Sequence, residues 1–91
     1  MILNRIIDGV RYPDETDGLH FDATPYEKVI ELNTEPSNTT AIVYDSNGDV
    51  IETVTTPGTI TLRKAGDFIV EFNRNNYLRK QLLHCTKQYL R

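Results

Sequence analysis

Turn chemistry recurs along the middle of this chain at intervals of about ten residues, and that spacing constrains the fold more than any other feature. Ala41-Ile42-Val43-Tyr44 and Val50-Ile51-Glu52-Thr53-Val54 flank Asp45-Ser46-Asn47-Gly48-Asp49. Asn-Gly between apolar runs suits a type I′ hairpin turn, whose two central residues both need positive φ. In that register Tyr44 faces Ile51 and Ile42 faces Thr53, with Val43 and Glu52 on the opposite side. Thr55-Thr56-Pro57-Gly58 turns the chain again, and Thr59-Ile60-Thr61-Leu62 alternates. After Lys64-Ala65-Gly66-Asp67, Phe68, Val70 and Phe72 alternate with Ile69 and Glu71. Short alternating strands separated by turn residues describe an antiparallel sandwich or a small barrel. The expected core is Ile42, Tyr44, Ile60, Leu62, Phe68, Val70 and Phe72.

The flanks carry weaker signals. Tyr26, Ile30 and Leu32 alternate with Glu27, Val29 and Glu31, a half-buried strand, and the polar residues 33–39 with Pro36 form a turn. Near the start, Ile2, Leu3, Ile6 and Ile7 precede Asp8-Gly9 and Val10-Arg11-Tyr12. Asp-Gly marks a hairpin there, and a short helix over 2–7 competes with it. Residues 13–25 hold two prolines, a glycine and several acids, with Leu19 and Phe21 as anchors. A loop of that length in a small domain points to binding. At the other end, Leu78, Leu82, Cys85 and Tyr89 fall at helical spacing, and Asn75 or Asn76 would cap such a helix. Read as a strand, the same stretch puts Tyr77, Leu83, Cys85 and Tyr89 on one face, together with Arg79, Gln81 and Lys87.

The run Thr55-Thr56-Pro57-Gly58-Thr59-Ile60-Thr61-Leu62, then Gly66-Asp67-Phe68-Ile69-Val70-Glu71-Phe72, then Asn75-Asn76-Tyr77, resembles PEGA and carboxypeptidase regulatory-like domains. Tyr44 to Ile51 looks like their central hairpin, and the resemblance covers about residues 27–85. Asn76 stands where that family has Gly. The resemblance implies a small β-sandwich, a strand over roughly 79–86, and a non-enzymatic adhesion or assembly module of the kind appended to cell-envelope proteins. It carries over no catalytic residue.

Charge is distributed unevenly over the 91 residues, whose formal net charge is −3. The first 35 residues hold Asp8, Asp14, Glu15, Asp17, Asp22, Glu27, Glu31 and Glu35 against Arg5, Arg11 and Lys28. The last stretch, 73–91, holds Arg74, Arg79, Lys80, Lys87 and Arg91 and no acid. Such asymmetry marks interaction surfaces. The candidate partner-binding residues are therefore Asp14, Glu15, Asp17 and Asp22 at one end and Arg74, Arg79, Lys80 and Lys87 at the other.

Catalytic and cofactor chemistry finds no support. Asp45, Asn47, Asp49 and Glu52 imitate a calcium loop, but Gly48 and Glu52 sit at the wrong positions for an EF-hand. His20 between Asp17 and Asp22 lacks a third ligand of suitable spacing, and the other histidine, His84, is distant in sequence. His84 and Cys85 are neighbours whose side chains diverge, so the histidine does not activate the thiol, and Cys85 reads as a small core residue. One cysteine forms no internal disulfide. A sequence pI of about 5.2 argues against nucleic acid, and no apolar run is long enough to span a membrane as a helix. Asn38-Thr39-Thr40 matches a glycosylation sequon, but the N-terminus lacks the pattern of a secretory signal.

The expected fold is all-β: a small Ig-like or PEGA-like antiparallel sandwich over 26–91, with an N-terminal arm and acidic loop over 1–25 and a C-terminal helix in play. The expected function is non-enzymatic protein–protein interaction without cofactor or metal, as a subunit of a larger assembly such as a viral decoration, cement or connector protein, located in the cytoplasm or the virion. A small regulator that blocks a partner enzyme is the alternative, and an extracytoplasmic envelope module is the third reading.

Overall fold

Alternation and turn chemistry resolve into nine strands. The computed structural model describes residues 3–12, 19–23 and 27–87, with 20–23 and 87 described by backbone alone. Strands β1 (Asn4–Ile7) and β2 (Val10–Tyr12) form a hairpin. Asp8 and Gly9 at its tip have φ of 49° and 81°, the paired positive values of a type I′ turn. β1 also pairs antiparallel with β4 (Lys28–Glu35), and β4 with β7 (Gly58–Leu62), giving one sheet in the order β2-β1-β4-β7. The second sheet has the order β3-β9-β8-β5-β6, built from β3 (Leu19–Ala23), β9 (Tyr77–Lys87), β8 (Gly66–Arg74), β5 (Thr40–Tyr44) and β6 (Val50–Thr55). Its pairs are antiparallel except β3 with β9, which run parallel.

The two sheets close a β-sandwich over a thin core. The first contributes Leu3, Ile7, Ile30, Leu32, Ile60 and Leu62. The second contributes Ala41, Val43, Phe68, Val70, Phe72, Leu83 and Cys85, all buried. Leu19 packs against this core as expected of an anchor. The phases read for β4, β7 and β8 are those observed.

The sequence reading differs from the structure in five places, four in the strands and one in a turn. Within the N-terminal arm expected over 1–25, the described residues supply β1, β2 and β3 to the two sheets: β1 lies between β2 and β4, and Leu3, Arg5 and Ile7 are buried. Second, the C-terminal helix is absent, because 77–87 form β9. Asn75 and Asn76, at φ 49° and 67°, make the type I′ turn between β8 and β9 instead of a helix cap. Asparagine tolerates this left-handed region better than other non-glycine residues do.

Third, β5 has the opposite phase. Ala41 and Val43 point inward, while Ile42 and Tyr44 are only half-buried. Ala41 lies opposite Phe72 and Val43 opposite Val70 on β8. The two phenylalanines of β8 already fill the layer, so small residues fit beside them. Finally, β4 continues through Glu35 into the stretch read as a turn.

The Asn47-Gly48 hairpin tip is present with a different geometry. Only Gly48 has positive φ, at 83°. The Gly48 amide donates to the Asp45 carbonyl (3.0 Å), and the Asp45 carboxylate accepts from the amides of Asn47 (2.9 Å) and Asp49 (3.0 Å). This self-capping by an Asp side chain favours a longer loop over a two-residue turn. A register shift beside Val43 and Tyr44 follows, so Tyr44 pairs with Val50 rather than Ile51.

Two polar features join the sheets. At one end Thr34, Thr39 and Thr56 are buried. The Thr34 hydroxyl donates to the Pro36 carbonyl (2.7 Å), so Thr56 donates to Thr34 (2.7 Å) while accepting from the Thr39 amide (3.0 Å). In the interior, Arg5 is 1% exposed. Its Nη1 crosses from β1 to β9, donating to the Lys80 carbonyl and to Gln81 Oε1, both at 3.1 Å.

Deleting residues 1–12 should unfold the chain, because it removes two strands and the buried Leu3, Arg5 and Ile7. Loss of the β-sheet circular-dichroism signal checks this. Arg5→Met and Gln81→Leu should each destabilise by leaving buried polar groups without partners. Combined, they should cost less than the sum of the single changes, with a coupling of about 0.5–3 kcal/mol from denaturant melts. Strict additivity would mean that the two side chains do not interact.

Candidate interaction surface

A strand with one buried face needs apolar residues only on alternate positions, and β8 breaks that rule with Ile69 between Phe68 and Val70. Register shows where Ile69 goes. It pairs with Tyr44 on β5 and with Leu82 on β9, and Tyr44 pairs with Val50 on β6. Val50, Tyr44, Ile69 and Leu82 therefore form one row across four adjacent strands, on the side of the sheet away from the core. Val50 is 57% exposed, Ile69 40% and Leu82 38%. The next row holds Thr53, Ile42, Glu71 and Lys80, and the one after it Thr55, Thr40, Asn73 and Leu78.

An open hollow of about 550 Å³ lies on this face. Its walls include Tyr44, Ile69 and Leu82, with Asp45, Asp67 and Glu71 around them and Lys80 opposite Glu71. Asp45 is committed to its turn through Oδ1. Asp67 Oδ1 lies 2.6 Å from His84 Nδ1. Glu71 and Lys80 are cross-strand neighbours, yet among the described residues no ion pair or hydrogen bond engages either side chain. The arrangement is an apolar stripe within an acidic margin. It offers shape and charge for binding.

The candidate residues named from the sequence fall into three groups. Asp14, Glu15 and Asp17 lie outside the described residues, as do the side chains of Asp22 and Lys87. Arg74 and Arg79 are described and engaged within the chain. Arg74 Nη1 donates to the carbonyls of Ser37 (2.8 Å) and Asn38 (3.2 Å), tying the β8 end to the β4–β5 connection. Arg79 lies 4.6 Å over the Tyr77 ring and also donates to its hydroxyl. Lys80 alone of the described candidates stands on the open face.

Alternation along β8 puts Ile69 on the outer face, as observed, but sequence reasoning missed Tyr44 and Leu82 beside it, placing Tyr44 in the core and Leu82 on a helical stripe. The available signal was the unbroken apolar run around Ile69, which marks a strand with two apolar faces. The histidines, distant in sequence, are brought into register: His20 of β3 pairs with His84 of β9, which pairs with Asp67 of β8. Among the described residues no three His, Cys, Asp or Glu side chains converge as a metal site.

No family model matches the chain, and no curated protein is similar to it. The geometry alone makes a sharp distinction between the two faces of this sheet. Ile42→Thr, on the outer face, should cost less than about 1 kcal/mol. Phe72→Ala, on the inner face, should cost about 3–5 kcal/mol. Urea denaturation of both variants reads the difference directly, and equal costs would reverse the phase given to β5.

Proposed function

We propose that this chain is a non-enzymatic protein–protein interaction module, a structural subunit of a larger assembly of the kind built with viral decoration, cement and connector proteins. One observation carries the reading: the row Val50, Tyr44, Ile69 and Leu82 lies across four strands on the solvent side of the sandwich. Contiguous apolar surface of this kind, rimmed by polar groups, marks interaction sites on folded proteins. The location proposed with it is the cytoplasm or the virion.

Strand order supports placing the sandwich with immunoglobulin-like domains. β1, β4 and β7 share one sheet while β5, β8 and β9 share the other, with β6 beside β5. That division matches the A, B and E strands against C, F and G in such domains. Asn76, in the left-handed region at φ 67°, adopts the conformation for which a Gly at that position is suited, as the PEGA-like reading requires. Both domain types act as binding scaffolds, and function still rests on the face and not on the fold.

Changing Ile69 and Leu82 together to Glu tests the reading. Both side chains are exposed, so the variant should keep a melting temperature within a few degrees of the parent, about the effect of 1 kcal/mol in a domain this size. It should nevertheless fail to enter the complex that the unmodified chain forms with the products of neighbouring genes, followed by sedimentation. A folded variant that co-sediments as well as the parent removes this face from the interface.

A further inference from the structure

Resting on the reading of this face as an interface, we infer that the hollow between β5, β8 and β9 seats a basic side chain, so that the partner is a protein presenting arginine or lysine from an apolar surface and is not a second copy of this chain. The chemistry of the lining selects such a group. Ile69 and Leu82 supply an aliphatic floor of the kind along which an arginine or lysine stem packs. The Tyr44 ring is one wall, suited to the face of a guanidinium. Asp45, Asp67 and Glu71 place three carboxylates around one ammonium, that of Lys80, so the lining is acidic on balance. The turn amides occupy Asp45 Oδ1 and His84 occupies Asp67 Oδ1, which leaves the second oxygen of each carboxylate, and all of Glu71, to accept from a guest.

Charge also argues against self-association through this face. A copy laid against it would bring six carboxylates together with two ammonium groups, and such an excess of like charge across an interface is disfavoured. Among the described residues every arginine is engaged or buried, so the unengaged cations a copy could offer are lysines, Lys80 of the face itself and Lys64 at the β7–β8 turn. Arg11 pairs with Glu35 and Arg63 with Glu27, while Arg74 and Arg79 are held as described above. Arg5 is buried.

Two short capped peptides test the inference, one alternating arginine with leucine and the other glutamate with leucine. Each is titrated into the full chain, with binding followed by amide chemical-shift mapping. The arginine peptide should perturb residues 44, 69, 71, 80 and 82 and weaken as salt rises through the screening range, while the glutamate peptide leaves them unmoved. Glu71→Lys should weaken the arginine peptide about tenfold, and Lys80→Gln should tighten it by about two- to threefold. A plain apolar patch would not respond to Lys80→Gln. If both peptides bind the face equally and neither charge variant matters, the selection for a basic group is overturned while the interface reading stands. If the chain alone shows concentration-dependent shifts at the same residues, a second copy is the occupant and the inference fails. If neither peptide touches the face and the Ile69 and Leu82 double variant still enters its complex, the interface reading itself fails.

Discussion

Arg5 stands inside a core that is otherwise almost wholly aliphatic and aromatic, and much of the sandwich is arranged around it. A guanidinium taken out of water is tolerated only where its hydrogen bonds are supplied. Here Nη1 donates two, one to a β9 carbonyl and one to the buried Gln81, both on the opposite sheet. The bonds cross the sandwich, so they relate the two sheets to each other as well as holding one strand. They also fix the register of β1. A slip by one residue would turn Leu3 and Ile7 outward and carry the arginine away from its acceptors. Buried polar contacts of this kind add specificity that interchangeable aliphatic contacts lack.

The same contact settles which way β9 faces. With Gln81 inward, Leu83 and Cys85 follow it inside, and Leu82 and Lys80 must stand outside. β8 is set independently by the bulk of Phe68 and Phe72, which places Ile69 and Glu71 on the outer side. β5 then adapts to β8, with Ala41 beside Phe72 and its larger residues, Ile42 and Tyr44, turned out. The outer apolar row is thus a consequence of three separate packing decisions on the inner face. The coincidence of Tyr44, Ile69 and Leu82 in one register follows from pairing.

Much of the fold was legible because turn residues and period-two runs are local signals. β4, β7 and β8 were readable from alternation, and the Asp8-Gly9 and Asn47-Gly48 turns from composition. The failures share a physical origin in partners distant along the chain. β9 resembled a helix because Arg79 and Gln81 interrupt its inner row. Gln81 is satisfied by Arg5 and Arg79 stacks on Tyr77, and only the fold reveals those partners. β5 was phased by bulk, whereas the space beside Phe72 decided it. The N-terminal hairpin was legible, but its place inside the sandwich was not, because a charged residue at the centre of β1 argues against burial. Charge asymmetry along the sequence identified Lys80 on the open face but also selected Arg74 and Arg79, whose positive charge is spent on internal carbonyls and a tyrosine ring.

The outer row contributes little that the domain needs for its own stability. Replacing Ile69 and Leu82 by polar residues would leave every inner contact in place, and a solvent-facing strand position is ordinarily polar. β6, at the edge of the same sheet, adds exposed Val50 and Ile51; a register shift and Glu52, which accepts from the Thr61 amide (3.4 Å), protect that edge, but its outer apolar residues remain uncovered. Apolar residues on the free face and at the free edge of one sheet are costly to a protein that acts alone, since they invite aggregation. The other sheet does not share this character to the same degree: its short edge strand β2 is tied to β4 through the Arg11–Glu35 pair, and its outer β4 positions include Glu31, Asn33 and Glu35 beside Val29. The asymmetry between the two sheets is what a module docked by one face would show, with the acidic margin restricting which surfaces can dock.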